Sequence, residues 1–239
     1  MHQVRLGSIF LSLFILFIGS LIGWLVGESV IDEEKSGNFL LFIITTPSII
    51  FLFQICLYRN ATKWLYHQLY FIGSISMTLA WFMIAFALPI FWSDKVGIYT
   101  KMLTLFVSST LCVSNIQFAQ QSFNKKWDQY GQSAFDNLFK LDTKKIDWAR
   151  IVRSMKHDFD VYIPGLNKNS SNFVAIIAVG VLIVGQIIRD IYPVFRMLAW
   201  AFSFSVVASW LFHIAAYTFM HARKVRALEK KYNLRFEST

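Results

Sequence analysis

The chain has 239 residues, of which 56% are hydrophobic and 15% are charged. About a quarter of the residues are charged in an ordinary water-soluble domain, so this composition excludes that class. The formal net charge is +9. Because the basic residues lie between and after long apolar blocks, they favour contact with anionic lipid at a membrane surface, and nucleic acid is not the expected partner.

Six apolar blocks are long enough to cross a bilayer, which needs about 20 mostly apolar residues per helix. They are Gly7–Gly27, Asn38–Tyr58, Tyr70–Trp92, Ile98–Phe118, Phe173–Ile188 and Met197–Met220. The sequence therefore predicts an all-α integral membrane protein with six transmembrane helices. Residues 1–118 would hold spans one to four, 119–172 an amphipathic helical module, 173–221 spans five and six, and 222–239 a basic helical tail.

Lysine and arginine are concentrated on one side of the predicted spans. The module holds nine basic residues and the tail six, whereas the loop Glu28–Glu34 on the other side is acidic. Because basic loops stay on the cytoplasmic side, both termini and the module are predicted to be cytosolic. The predicted location is a bacterial inner membrane.

The first span ends with Gly19, Gly23 and Gly27, spaced four residues apart. Glycine at this spacing lets a second helix approach closely, because packing rather than the hydrophobic effect joins helices in lipid. The pattern predicts a tight helix contact, either within the chain or with another subunit.

Spans two and four carry polar side chains at membrane depth. Gln54 lies in span two, and Thr104, Ser108 and Asn115 recur near one face of span four. Such side chains either bond to a neighbouring helix or line a wet pathway. They are candidate pathway residues, together with His213 of span six.

The module is predicted to form two amphipathic helices, of which the second has the clearer pattern. Its apolar stripe would end before Pro164-Gly165, a helix terminator. Three uses of the stripe are open: contact with the lipid surface, packing against the chain's own bundle, or docking in a partner's groove. The candidate binding residues are Trp148, Ile151, Val152, Met155, Phe159 and Tyr162 on the stripe, with Arg150 and Arg153 beside it.

Span six repeats the small-residue pattern. Ala201, Ser205 and Ser209 recur every four residues and lead to His213. They predict a second close helix contact. None of the six spans contains Asp or Glu, so His213 has no carboxylate in the membrane with which to form a proton relay.

The sequence contains no recognisable metal, nucleotide or hydrolase motif. It therefore predicts a non-enzymatic membrane subunit, without cofactor or metal, that docks partners through its basic loop and tail. The expected partners are the bilayer and other subunits of a membrane complex, with a homo-oligomer as a further option. The alternative is a small transporter or channel. A lipid-acting enzyme is least favoured, because the cluster of His157, Asp158 and Asp160 lacks a nucleophile.

Overall fold

The computed structural model describes residues 6–139, 146–157, 160–188 and 191–237, which are almost entirely helical. Residues Trp127–Gly131 form a five-residue π-helical segment. The α-helices in chain order are α1 (Leu6–Glu28), α2 (Glu33–Ala61), α3 (Leu65–Ala87), α4 (Pro89–Trp92), α5 (Ile98–Lys126), α6 (Gln132–Leu138), α7 (Trp148–Ser154), α8 (Lys168–Ile187) and α9 (Pro193–Tyr232).

Six helical stretches within the described ranges are long and apolar enough to cross a membrane. They are Leu6–Glu28, Glu33–Ala61, Leu65–Trp92, Ile98–Leu138, Lys168–Ile187 and Val194–Tyr232. This confirms the predicted all-α membrane class and its six apolar helices.

The central helix of the bundle is α9. Three helices, α3, α5 and α8, pack along it, while α1 and α2 pack against α3 and each other. The outer helices expose large apolar side chains such as Phe17, Leu41, Phe106 and Ile176. An outward apolar surface on a helix bundle is suited to contact with hydrocarbon.

The three glycines of α1 lie where its neighbours come closest. A Cβ atom added at Gly23 would lie 2.9 Å from the Ala85 carbonyl oxygen of α3. At Gly27 it would lie 2.3 Å from the Phe39 ring of α2, and at Gly19 it would lie 3.1 Å from Cα of Phe82 in α3. The glycine face of α1 thus packs inside this chain's own bundle.

Two apolar clusters occupy opposite ends of the bundle. The acidic end, around the α1–α2 turn and residues 93–97, is built on buried residues such as Phe39, Trp81 and Ala201. The basic end combines the start of α3 with α5, the π segment, α6, α7 and the last half of α9. Its buried residues include Trp148 and Phe236.

Among the helix boundaries that differ from the predicted ones, the end of α7 and the start of α8 flank the segment that joins these two helices. The second amphipathic helix, α7, ends at Ser154 instead of continuing to Tyr162, and Lys156 takes a left-handed backbone conformation with φ 43°. The helix α8 begins at Lys168, five residues before the predicted span, because the Asn167 side chain accepts a hydrogen bond from the Ser170 N–H.

The C-terminal tail is helical only as far as Tyr232. Asn233 then adopts a left-handed conformation with φ 51°, and the chain folds back. The Phe236 N–H donates to the carboxylate of Glu229 at 2.9 Å, and the Leu65 N–H donates to the Phe236 carbonyl at 3.0 Å. The tail is therefore fastened to the start of α3.

Candidate functional site at the basic end

The apolar side of α7 packs into the protein's own core. Trp148, Ile151 and Met155 are fully buried, and the Trp148 ring stacks on Trp127 with centroids 5.9 Å apart. Val152 is half-buried against the same cluster. Among the three uses considered for the stripe, these contacts correspond to packing on the bundle. Phe159 lies outside the described residues.

The polar side of α7 faces outward. The helix is started by Asp147, whose side chain accepts a hydrogen bond from the Arg150 N–H at 3.1 Å. Arg150 and Arg153 are exposed. The helix therefore presents two guanidinium groups to the surroundings while its aromatic residues stay inside.

Tyr162 belongs to an extended segment that is clamped by Asn115 of α5. The Asn115 amide donates to the Tyr162 carbonyl at 2.7 Å, and the Tyr162 N–H donates to Asn115 Oδ1 at 3.2 Å. The Tyr162 ring stacks on Phe118 with centroids 4.4 Å apart. One buried amide thus satisfies both backbone groups of a residue far away in sequence.

The polar stripe of α5 faces the small-residue stripe of α9. Ser108 and Ser205 share a hydrogen bond of 2.7 Å, and the Asn115 amide lies 3.4 Å from Ser209 Oγ. Thr104, nearer the start of α5, bonds to a carbonyl of its own helix at 2.8 Å. The candidate pathway residues of α5 and the small-residue stripe of α9 therefore meet along one seam between these two helices. Ala201, the first residue of that stripe, is buried on α9 near the acidic end.

Gln54 belongs to a separate network between α1, α2 and α3. Its Oε1 atom accepts a hydrogen bond from Ser12 at 2.6 Å, and its Nε2 atom donates to Thr78 at 2.7 Å and to the Ser74 carbonyl at 3.0 Å. All four residues are buried. The network satisfies the polar groups of Gln54 within the bundle.

His213 lies at the end of the α5–α9 seam and pairs with His157. Their Nε2 atoms are 2.9 Å apart, so one nitrogen must carry the proton that the other accepts. The His157 ring also stacks on Tyr217 with centroids 3.5 Å apart. His221 lies two helical turns beyond His213, and its ring is packed edge-on against Trp148 and Phe123.

Ser122 of α5 completes this group, with Oγ 3.3 Å from Nδ1 of His157. A serine beside a histidine that is oriented by a third group is the arrangement of an activated nucleophile. Burial, together with the nearby His213 and Lys126, lowers the pKa of His157 to about 3. A histidine with such a pKa is a weak general base, so the contact acts better as a structural hydrogen bond.

A basic groove lies beside the histidine pair, between the end of α5 and the segment that leads into α8. Its volume is about 710 Å³. Four lysines and one aspartate line it, a formal charge of +3, and Asp160 pairs with Lys168 at 2.7 Å. The residues that line it include Phe118, Gln121, Lys125, Lys126, Lys156, Asp160, Leu166, Lys168 and Ser171.

Within the described ranges, no group of three or more His, Cys, Asp or Glu residues is arranged to hold a metal ion. The chain matches no protein-family model, no curated protein and no solved structure.

The histidine pair and the groove were not predicted from the sequence, because His157 and His213 are 56 residues apart. A partial signal was present. His213, Tyr217 and His221 recur every four residues and therefore share one face of α9.

Proposed function

We propose that this protein is a non-enzymatic multi-pass subunit of a membrane complex, which docks an acidic surface of a partner subunit at its basic end. The observation that supports this most directly is the different burial of the two sides of α7. Its aromatic and aliphatic side chains are buried in the bundle, whereas Arg150 and Arg153 are exposed. The proposed docking surface is therefore charged and not apolar. Charge complementarity at an interface increases specificity and the association rate.

The C-terminal part of α9 enlarges this charged surface. The side chains of Arg153 and of Thr218 and His221 in α9 line one hollow, so α7 and α9 are neighbours here. Further exposed basic residues on α9 are Arg223, Arg226, Lys230 and Lys231. An acidic partner would meet exposed cations from both α7 and α9.

The same charge distribution supports an orientation with both termini in the cytosol of a bacterial cell. An even number of crossings returns the chain to the side on which it started, and lysine and arginine favour the inner side. In a variant lacking both native cysteines, we expect a cysteine at Glu33 to react with an impermeant maleimide in intact cells. A cysteine at Lys230 should react only after permeabilisation. The opposite pattern would invert the orientation.

Co-purification in mild detergent tests the docking surface. We expect an identified membrane subunit to elute with the wild-type protein in a fixed ratio and to be lost from the variant Arg150→Glu/Arg153→Glu. The variant Lys95→Glu/Lys101→Glu reverses two charges at the acidic end and should retain it. A lone monomer, or a complex that is indifferent to the first variant, contradicts the proposal.

The alternative function is a transporter with a pathway along the polar faces. The pairing of Ser108 with Ser205, and of Asn115 with Tyr162, supports a packed seam instead. Cysteines placed at Thr104, Ser108 and Asn115 separate the two functions. Protection from a small water-soluble thiol reagent supports the subunit, and rapid labelling of all three supports the transporter.

A further inference from the structure

The basic groove is lined by both basic and apolar side chains. Lys125 and Lys156 are exposed on its rim, and Lys126 donates a hydrogen bond to the Lys156 carbonyl, which holds the two sides of the rim together. The lining also includes the apolar side chains of Phe118 and Leu166. A ligand that fills the groove needs a negative group and an apolar part.

The position of the groove along the bundle indicates where such a ligand comes from. Phe118 is the last residue of the apolar block of α5, and the first lysine of the rim follows seven residues later. On the other side, Ser171 lies in the first turn of α8, just before the apolar block that starts at Phe173. The groove therefore lies at the level where hydrocarbon gives way to the polar headgroups.

We propose that this groove binds an anionic membrane lipid, with the phosphate of its headgroup among Lys125, Lys156 and the first turn of α8. The positive end of the α8 dipole adds to the attraction for phosphate. An acyl chain leaves the groove past Phe118 and follows the apolar surfaces of α5 and α8 into the bilayer. A volume of about 710 Å³ is within the range of about 300–1,000 Å³ that ligand sites occupy.

A soluble phosphate compound would leave half of this site unused, because it has nothing to place against Phe118 and Leu166. An anionic lipid uses both halves, and its attraction to a basic residue near the membrane surface corresponds to about fivefold in binding for each lysine. The lipid site is separate from the docking surface of α7, since neither Arg150 nor Arg153 lines the groove.

Native mass spectrometry of the full-length protein in a neutral detergent tests the site. With phosphatidylglycerol added, we expect one lipid to stay bound per chain, and phosphatidylcholine to be retained much less. The variant Lys125→Gln/Lys156→Gln should weaken phosphatidylglycerol binding roughly 25-fold, at about fivefold per lysine. The matched control Arg59→Gln/Lys63→Gln removes two exposed positive charges at the same end of the bundle, outside both the groove and the proposed docking surface, and should bind like the wild type.

Two further measurements distinguish specific lipid binding in the groove from non-specific attraction of lipid to surface charge. Gln121 is exposed and lines the groove, so Gln121→Trp should block lipid binding without a change of charge and with an unchanged thermal unfolding curve. Glycerol phosphate should not compete with the lipid. Equal losses in Lys125→Gln/Lys156→Gln and in the control Arg59→Gln/Lys63→Gln, unchanged binding in Gln121→Trp, or full competition by glycerol phosphate would each overturn the proposal. Binding that survives Arg150→Glu/Arg153→Glu is expected whether or not the docking proposal holds.

Discussion

A single added methyl group tests the close packing of α1 against the bundle. Gly23 is the middle glycine of three, and a Cβ atom there would lie 2.6 Å from Cδ1 of Ile43 and 2.9 Å from the Ala85 carbonyl oxygen. The isoleucine methyl can rotate away. The carbonyl oxygen belongs to the backbone of α3, so the relief of that contact requires the two helices to separate.

The magnitude follows from two opposing effects. Overpacking of a filled interior costs about 1–3 kcal/mol. Replacing glycine by alanine in a helix returns up to about 1 kcal/mol through helix propensity. Gly180 of α8 isolates the second effect, because nothing lies within 4 Å of its added Cβ and the position is exposed. Gly23→Ala should therefore be less stable than Gly180→Ala by about 1–3 kcal/mol.

Unfolding by SDS in mixed micelles, followed by far-ultraviolet circular dichroism, measures this difference. Gly19→Ala should be affected less than Gly23→Ala, because its closest contacts with Phe82 are 3.0 and 3.1 Å. If Gly23→Ala resists SDS as well as Gly180→Ala does, then α1 does not pack against α3 through its glycine face and the reasoning is refuted.

Three other perturbations can be followed with the same unfolding titration. Trp148→Ala should cost about 3–5 kcal/mol, because it empties a fully buried site, whereas Arg150→Ala on the exposed side of α7 should change stability by no more than about 0.5 kcal/mol. Asn115→Ala should cost about 1–3 kcal/mol and speed hydrogen exchange at the Tyr162 amide, because it removes the partner of two Tyr162 backbone groups; unchanged exchange would contradict the clamp. For His157, burial lowers the folded-state pKa to about 3, below the ordinary 6.5 of an unfolded chain, so the unfolded state binds the proton first as pH falls. The stability associated with neutral His157 is present above about pH 6.5 and is lost towards pH 3. His157→Gln should therefore lose less stability than the wild type between about pH 6.5 and 4. Parallel curves of unfolding free energy against pH for the two proteins would contradict this expectation.

The features that were predictable from the sequence are those fixed by local pattern. The six apolar helices follow from the length and hydrophobicity of single segments, and such segments must be helical in lipid to satisfy their backbone groups. The early start of α8 also has a local signal, since Asn167 is a strong N-cap residue three positions before Ser170. The polar run 167–172, which the sequence places before span five, therefore supplies the cap and the first residues of α8.

The remaining features depend on contacts between distant residues. The end of α7 coincides with the left-handed Lys156, after which Asn115 captures the extended backbone of Tyr162. The apolar positions keep a helical period through Tyr162, but the distant Asn115 amide pairs with both backbone groups of Tyr162 in an extended segment. The pairing of His157 with His213 is of the same kind, because nothing in either local sequence specifies the other.

These long-range contacts also determine which surfaces are left for binding. Trp148 of α7, Phe236 of the C-terminal tail and Leu65 of α3 belong to one buried cluster, so the amphipathic module and the bundle share a core. The polar boundary near residue 119, clear in the sequence, is therefore not a boundary between independently packed units, since α5 runs through it without interruption. Because the apolar side of α7 is already buried, the proposed docking uses its exposed arginines. That is why both proposals rest on charge, with an acidic partner on the arginines of α7 and an anionic lipid on the lysines of the groove.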